Sequence, residues 1–466
     1  MEVMEPNIHS FRNWLDKHGV DHRNVKMRTG QSGVALNAAV DLVASSHVFS
    51  IPCQLLLGPH QVPNIPSFIP IYKYLCDHTE EKGGGSSTDP PLPDPQIVLI
   101  LLLLHTKSHP DRLEWSPYVN CLPLAFPTPL YLLARKEAAD SAGGDAYDPM
   151  ERIAGSPLHS ILFGALEDLR AAYLTWIPEL REHFGDAAFT EEHSSFLAFV
   201  WAHSAIESRA FRLRESFLNG TLQTSESVSP AQPSATTEEP YITCLVPFGD
   251  FADHAPIASA TLFSTTIPDF LVFSTLEGKP VPKGSPLLIT YNILSNEELL
   301  LHYGFAMADN PLDRVVVGLE VPEDQADYTL EVRKALLLDA AEQETAGGVE
   351  IKLDGHALAL QNNGGVPEGL IQSLRLLLAT SEELEGITTQ NVVQRLSVPL
   401  SARNEEQAVG TLVQLADGML SGYLENSSVG ETGFANQWER FADIYIQSQK
   451  EILREVVKWG KERMRS

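Results

Sequence analysis

The sequence predicts an α+β fold, in which a β-rich core carries a large helical insert and is followed by an all-α C-terminal domain. Three observations support this prediction. Short runs of small and β-branched residues broken by glycine fill residues 25–51. Apolar residues recur at helical spacing within residues 157–176 and 191–213. From residue 321 to the end the periodicity is almost wholly helical.

Composition favours a folded, multidomain protein. The chain has 466 residues, of which 43% are hydrophobic and 20% charged, enough to form two or three cores. The formal net charge of −28 repels phosphate backbones and attracts basic protein surfaces, and solubility alone is the alternative explanation for it. Four scattered cysteines without a C-x-x-C pair suggest neither a zinc site nor a disulfide framework, so no metal is expected.

The first elements follow from local patterns. A short helix is predicted over residues 10–18, capped by Ser10 and stopped by Gly19. Two or three strands joined by tight turns follow in residues 25–51, and a buried helix is predicted over residues 97–107. The longest apolar run, residues 97–104, is far shorter than the roughly 20 residues that span a bilayer, so no membrane association is expected.

Two domains are predicted, residues 1–320 and residues 321–466. The helical insert of the first covers about residues 60–240. It contains three segments rich in Gly, Ser, Asp or Pro, predicted to be flexible loops, at residues 77–95, 138–149 and 225–239. In the second domain, a stripe of large apolar side chains marks one helix: Trp438, Phe441, Tyr445, Ile452, Val456 and Trp459.

A series of ordered motifs carries a family resemblance. They are Trp115-Ser116-Pro117-Tyr118, Ser208-Arg209-Ala210-Phe211, Asp250-Phe251-Ala252-Asp253-His254, Tyr291-Asn292, Ser295-Asn296-Glu297-Glu298-Leu299-Leu300 and Tyr303-Gly304-Phe305. Together they resemble the SET-domain protein methyltransferases of the Rubisco large-subunit methyltransferase-like group. The resemblance implies a SET core, a helical substrate-binding-like C-terminal domain, and S-adenosylmethionine as the methyl donor.

The resemblance also implies roles for individual residues. Tyr303 is expected at the transfer point, where its hydroxyl orients the lone pair of the incoming nitrogen, and Tyr291 takes the second tyrosine position. The residues expected to bind the cofactor are Ser32, Gly33, Val34, Arg209, Asp253 and His254. Phe211 and Asp250 are assigned to the substrate side. The alternatives without a catalytic or binding role are that Tyr303 is an ordinary core tyrosine and that Arg209 is a surface arginine.

One departure from the group's motif leaves an alternative open. Asp253 stands where the group has Asn, and a carboxylate cannot donate the amide hydrogen bond, although it can pair with an ammonium group. The sequence therefore predicts a protein-lysine N-methyltransferase that acts on a specific non-histone protein. The alternatives are a catalytically weakened SET protein that binds partners and a histidine N-methyltransferase.

Charge and the N-terminal residues complete the prediction. The substrate is expected to be a protein with a basic or lysine-containing segment, and direct nucleic-acid binding is not expected. The first nine residues carry acids and no apolar signal region, which favours a cytoplasmic or nuclear location. The protein is expected to act as a monomer.

Overall fold

The computed structural model describes residues 5–30, 33–82, 92–110, 113–144, 148–218, 226–228, 240–257, 259–317, 366–388, 390–423 and 437–465. The chain divides into two compact units. The core unit comprises Met1–Pro149, Ser160–Ile293 and Leu301–Gly304, and the helical unit comprises Met150–His159, Leu294–Leu300 and Phe305–Ser466. The boundary predicted between residues 320 and 321 lies outside the described residues.

Ten short strands are described. They are β1 (Val25–Gly30), β2 (Gly33–Ala38), β3 (His47–Pro52), β4 (Ala210–Arg214), β5 (Glu226–Val228), β6 (Tyr241–Leu245), β7 (Asp253–His254), β8 (Leu262–Ile267), β9 (Phe270–Thr275) and β10 (Leu288–Ile289). They form a four-stranded sheet in the order β3-β9-β8-β5 and three two-stranded pairs, β1-β2, β4-β6 and β10-β7. Two or three strands are predicted in residues 25–51, and the structure has three there, β1, β2 and β3.

Helices occupy most of the rest of the described core unit. They are α1 (Glu5–Lys17), α2 (Ile69–Lys82), α3 (Pro95–Ser108), α4 (Ser116–Val119), α5 (Pro129–Ser141), α6 (Pro149–Ile153), α7 (Pro157–Phe184), α8 (Phe196–Arg209) and α9 (Glu215–Leu218), with α6 and the start of α7 belonging to the helical unit. The buried helix predicted over residues 97–107 is confirmed as α3. Its side chains from Val98 to Thr106 are buried, and Asp94 caps it by accepting from the Gln96 N–H.

Three predicted boundaries differ from the structure. The segment 77–95, expected to be a loop, is helical at both ends, because α2 continues to Lys82 and α3 begins at Pro95; residues 83–91 lie outside the described residues. The loop expected at residues 138–149 likewise gives way to α5, which ends at Ser141, and to α6. In the loop expected at residues 225–239, Glu226–Val228 instead forms β5, because its backbone pairs with β8 and so makes β5 the edge strand of the four-stranded sheet.

Four longer helices are described in the helical unit. They follow the short helix α10 (Asn296–Glu298) and a π-helical turn at Leu299–Tyr303, whose last three residues belong to the core unit. They are α11 (Glu368–Leu377), α12 (Val392–Leu396), α13 (Ala402–Gly422) and α14 (Gln437–Arg463). The apolar stripe predicted for α14 is largely confirmed, since Trp438, Tyr445, Ile452 and Val456 are buried. Gly460 allows α14 to approach α13 closely, because a Cβ there would lie 2.3 Å from the Val413 side chain. None of the described helices is long and apolar enough to cross a membrane.

Candidate active site

Two tyrosines lie together at the centre of the site. Tyr291 follows β10, and Tyr303 ends the π-helical turn Leu299–Tyr303. Their rings stack with centroids 4.9 Å apart and planes 28° from parallel. π-helical turns are rare and occur frequently at functional sites, because the extra residue redirects a side chain. The structure therefore brings together the two residues predicted to be catalytic.

Tyr291 is held by the Asp-His segment of β7. Its hydroxyl donates to the Ala252 carbonyl oxygen at 2.9 Å, and its backbone N–H donates to His254 Nδ1 at 3.1 Å. Burial raises the pKa of Tyr291, so its hydroxyl keeps its proton near neutral pH. Since Nδ1 of His254 accepts a hydrogen bond, the ring is neutral and carries its proton on Nε2. Burial supports this assignment by lowering the pKa of His254 to about 4.

The strand pairing explains why these segments meet. β7 and β10 pair in parallel, with Asp253 opposite Leu288 and His254 opposite Ile289. The chain leaves β10 and reaches Tyr291 two residues later. Tyr291 is thereby placed beside the Asp-His segment, although the two lie far apart in sequence.

Arg209 approaches the same region from the end of α8. Its Nη1 donates to the Asp250 carbonyl oxygen at 3.1 Å and lies 3.9 Å from the Asp250 carboxylate. The guanidinium carbon lies 5.8 Å from the centroid of the Phe251 ring. The Nε of Arg209 is buried and has no hydrogen-bond acceptor within reach among the described residues. A buried donor of this kind favours an acceptor supplied from outside the chain.

Asp250 lies beside Arg209. Its side chain is fully buried, and the Tyr118 hydroxyl donates to its Oδ2 at 2.6 Å. Burial raises the pKa of Asp250 to about 7, although Arg209 and the hydrogen bond from Tyr118 lower it. A substrate does not reach this carboxyl in the present conformation, so the substrate-binding role assigned to Asp250 stays a prediction. Tyr118 belongs to a motif recognised in the sequence, which gave no sign of its contact with Asp250.

Asp253 presents a carboxylate near Arg209. The residue is exposed by its accessible surface, yet the protein around its carboxyl excludes enough water to raise the pKa of Asp253, and Arg209 opposes that rise. Asp253, Asp250, Tyr303 and Arg209 all influence the pKa of Tyr291 electrostatically. Tyr291 stacks on Tyr303 and donates to the carbonyl of Ala252, the residue before Asp253, while Arg209 donates to the carbonyl of Asp250, so these groups lie in one cluster.

Gly33 contributes a close backbone approach. It has a φ of +114°, a region that favours glycine, and it begins β2, where it pairs with Gly30 of β1. A Cβ at Gly33 would lie 3.1 Å from Pro123 Cγ and 3.6 Å from Arg209 Nη2. Val34 follows as a buried residue of β2. Ser32 lies outside the described residues, so its predicted role stays a prediction.

Phe211 lies in the hydrophobic core. It is 2% exposed, and its ring meets the Phe273 ring edge-on at 6.3 Å. None of its described ring contacts joins it to the tyrosine pair. Its predicted place in the acceptor pocket stays a prediction. The described residues also hold no group of three His, Cys, Asp or Glu side chains that could bind a metal ion.

Comparisons with known proteins show what this chain is similar to. Residues 325–453 match the family described as Rubisco LSMT substrate-binding. The chain is 24% identical over 440 residues to the chloroplastic [fructose-bisphosphate aldolase]-lysine N-methyltransferase of Arabidopsis thaliana, covering 90% of this chain and 74% of that protein. It is also 24% identical over 376 residues to a ribosomal lysine N-methyltransferase of Schizosaccharomyces pombe, covering 80% of this chain and 59% of that protein.

A solved structure shares the fold. The structure of Rubisco LSMT bound to AdoMet superposes with a TM-score of 0.68 and 19% sequence identity, covering 99% of this chain and 92% of that chain. The predicted fold class, a β-rich SET core with a helical insert and an all-α C-terminal domain, is therefore confirmed.

Proposed function

We propose that this chain, which is related over most of its length to the SET-domain protein methyltransferases of the Rubisco large-subunit methyltransferase-like group, is an S-adenosylmethionine-dependent protein-lysine N-methyltransferase. The observation that carries the proposal is the cluster of Tyr291, Tyr303, Arg209 and Asp253 in the core unit. Four separate segments supply these residues: the end of α8, β7, the chain after β10 and the π-helical turn. Apolar packing of a core does not require two tyrosines and two opposite charges to lie together.

The residues of this cluster fit the amino-acid end of the cofactor. Arg209 has a buried Nε without an acceptor among the described residues, and a carboxylate would supply one. Asp253 offers a negative charge to an ammonium group. Gly33 leaves room for close approach, because it carries no side chain where a Cβ would meet Arg209. When bound, S-adenosylmethionine supplies an electrophilic methyl group on a sulfonium.

The tyrosines then act on the acceptor amine. The oxygens of Tyr291 and Tyr303 can accept hydrogen bonds from the N–H groups of a neutral amine, which orients the nitrogen lone pair. In-line displacement depends on that orientation, since it requires nucleophile, methyl carbon and leaving sulfur to be collinear. Tyr291 also keeps its proton, because burial raises its pKa, and so adds no negative charge that would hold the amine protonated.

The net charge supports a basic protein substrate. A formal charge of −28 attracts segments rich in Lys or Arg and repels nucleic acid. A monomer in the cytoplasm or nucleus that acts on such a segment is consistent with this charge. Histidine is the second candidate acceptor, and only analysis of the methylated product separates it from lysine.

Asp253 is the observation that favours the second candidate function, a weakened SET protein acting through its partners. Asp replaces an amide donor there, and the protein around the carboxyl raises the pKa of Asp253. If this residue prevents cofactor binding, the helical unit would carry the function by binding other proteins.

A transfer assay tests the proposal. The purified chain is incubated with S-adenosylmethionine labelled in its methyl group and with basic proteins and poly-L-lysine, and labelled residues are identified after hydrolysis. We expect methyl-lysine, and expect its loss in Tyr303→Phe. Tyr131→Phe is the matched control, because that hydroxyl makes one long contact of 3.4 Å to the Leu124 carbonyl, outside the cluster. Labelled methyl-histidine alone would identify the other acceptor, and equal transfer by Tyr303→Phe would contradict the role of Tyr303.

A further inference from the structure

Glu207 lies on α8 and forms a polar cluster that the cofactor and acceptor roles do not use. Its Oε2 lies 2.8 Å from His302 Nδ1, and its Oε1 accepts from Gln96 Nε2 at 2.8 Å. His203 Nε2 lies farther away, 3.9 Å from Oε1. The three partners come from α8 itself, from the first turn of α3 and from the π-helical turn.

The Glu207 carboxyl is ionised in this arrangement. Burial raises the pKa of Glu207, but the hydrogen bond from His302 and the charges of His203 and His302 together lower it by more. The pKa of Glu207 therefore lies below its ordinary value. A carboxylate has no proton to give, so the Nδ1 of His302 must be the donor. The contact is a charge-assisted hydrogen bond, which is shorter and stronger than a neutral one.

His302 directly precedes Tyr303, and Gly304 directly follows it. Gly304 has a φ of +75°, and a Cβ there would lie 2.4 Å from the carbonyl of Pro127. The next residue, Thr128, donates its hydroxyl to Ser204 Oγ at 2.9 Å. Ser204 lies on α8, one turn before Ser208. The chain is therefore connected to α8 on both sides of Tyr303. Before Tyr303, His302 bonds to Glu207; after it, Gly304 packs against Pro127, whose neighbour Thr128 bonds to Ser204.

The same helix ends at Arg209. Arg209 is fixed separately, by the Asp250 carbonyl oxygen. From this arrangement, and resting on the function proposed above, we infer that Glu207 and His302 are positioning residues. Their hydrogen bond fixes Tyr303 at a set distance from the cofactor-binding end of α8. Neither residue has to touch the substrate or the cofactor for this role.

Breaking the bond should release Tyr303 and leave Arg209 in place. In Glu207→Leu and in His302→Phe, affinity for S-adenosylmethionine should be unchanged, since Arg209 keeps its own support. The turnover number kcat should fall by about tenfold to a hundredfold, which is the loss expected when a reacting geometry shifts by roughly 1 Å. Because the two variants break the same hydrogen bond, the kcat of the double variant should be no lower than that of either single variant.

Fluorine NMR tests the inference without a known substrate. The full chain carries 3-fluorotyrosine at position 303, or at position 131 as a control on α5, which also packs against α8. We expect the position 303 resonance to shift in Glu207→Leu and His302→Phe, with the same shift in the double variant. The position 131 resonance and the affinity for S-adenosylmethionine, measured by calorimetry, should stay as in the wild type. His203→Gln is the matched control, since His203 lies beyond hydrogen-bond distance of Glu207.

Two outcomes would overturn the inference. One is a position 303 resonance that does not move in either variant. The other is equal movement at positions 303 and 131, or equal movement in His203→Gln, which would mean that the helix is disturbed in general. A wild-type chain that fails to bind S-adenosylmethionine would instead contradict the proposed function, and the resonance of position 303 would still decide the role of Glu207.

Discussion

At the scale of single residues, the site contains buried polar groups whose pKa values are shifted by burial. Asp250 has a fully buried side chain beside the guanidinium of Arg209 and the hydroxyl of Tyr118. Burying a carboxylate is costly unless it is paired and hydrogen-bonded. Its Oδ1 has no hydrogen-bond partner among the described residues, which explains why burial outweighs the two favourable contacts.

This environment gives Asp250 a specific pH signature. The pKa of Asp250 rises from its ordinary value of 3.8 to about 7, so between these values the folded chain binds more protons at this site than the unfolded chain. The free energy of unfolding must then fall as the pH rises through this window. In Asp250→Asn this contribution is absent. We therefore expect the stability of the wild type relative to Asp250→Asn to decrease between about pH 4 and about pH 7.

Denaturant unfolding of the two proteins across this range measures the difference. Groups other than Asp250 titrate in both proteins, so their contributions cancel. A stability difference that is constant with pH, or that grows in favour of the wild type as pH rises, would show that the carboxyl of Asp250 is not shifted upward.

Several contacts of single residues could not be predicted from the sequence. The pairs Tyr118–Asp250 and Glu207–His302 join positions 132 and 95 residues apart, and no local pattern relates such positions. The motifs around Tyr303 and Arg209 indicated that these residues share a site. The sequence could not indicate which side chains support them, because that depends on tertiary packing.

At the scale of elements, the turn that carries Tyr303 is fixed by a glycine. We expect Gly304→Ala to lower the free energy of unfolding by about 3 kcal/mol, which combines the cost of a positive φ with that of overpacking against Pro127. Gly284→Ala is the matched control. Its φ is +86° but its Cβ would meet nothing within 4 Å, so only the backbone cost of about 1 kcal/mol remains.

Equilibrium unfolding in denaturant compares the two variants. Equal losses would mean that the contact with the Pro127 carbonyl relaxes without cost. In that case the chain after Tyr303 would not be fixed in the way inferred from the structure.

In the helical unit, a buried ion pair joins α11 to α13. Glu405 accepts from Arg375 Nε at 2.6 Å and Nη2 at 2.9 Å, and the Arg375 side chain is only 4% exposed. We expect Glu405→Gln to cost about 3 kcal/mol of stability, because it leaves the Arg375 charge buried and unpaired. Arg463 also pairs with Glu405 but is 43% exposed, so Arg463→Gln should cost no more than about 1 kcal/mol. Thermal unfolding of the full chain measures both, and a larger loss in Arg463→Gln would contradict this ranking.

The elements themselves were predictable to different degrees. The apolar runs of α3 and the stripe of α14 identify these helices, because their burial follows the helical period. The end of α8 was predicted too late, near residue 213. Ala210–Arg214 forms β4 instead, with alternating buried and exposed side chains, because it pairs with β6. Over so few residues, the alternation is easily taken for the last turn of a helix.

At the scale of the whole molecule, the net charge of −28 changes the affinity for charged partners. A Lys-rich substrate should bind more weakly as salt screens this field, since the Debye length falls from about 10 Å at 0.1 M to about 3 Å at 1 M ionic strength. We expect the KM for poly-L-lysine to rise with salt while the affinity for S-adenosylmethionine changes little. Titration of sodium chloride in the transfer assay checks this, and a KM that is independent of salt would show that the net charge plays no part in substrate binding.

The first experiment is to measure binding of S-adenosylmethionine to the purified chain. Titration calorimetry is carried out on the wild type, Tyr303→Phe and Asp253→Asn. The proposed function requires binding by the wild type and by Tyr303→Phe, because we propose that Arg209, Asp253 and Gly33 hold the cofactor and that Tyr303 acts on the acceptor. Absence of binding by the wild type, with recovery in Asp253→Asn, would contradict it and would identify a protein that has lost its cofactor through that single residue.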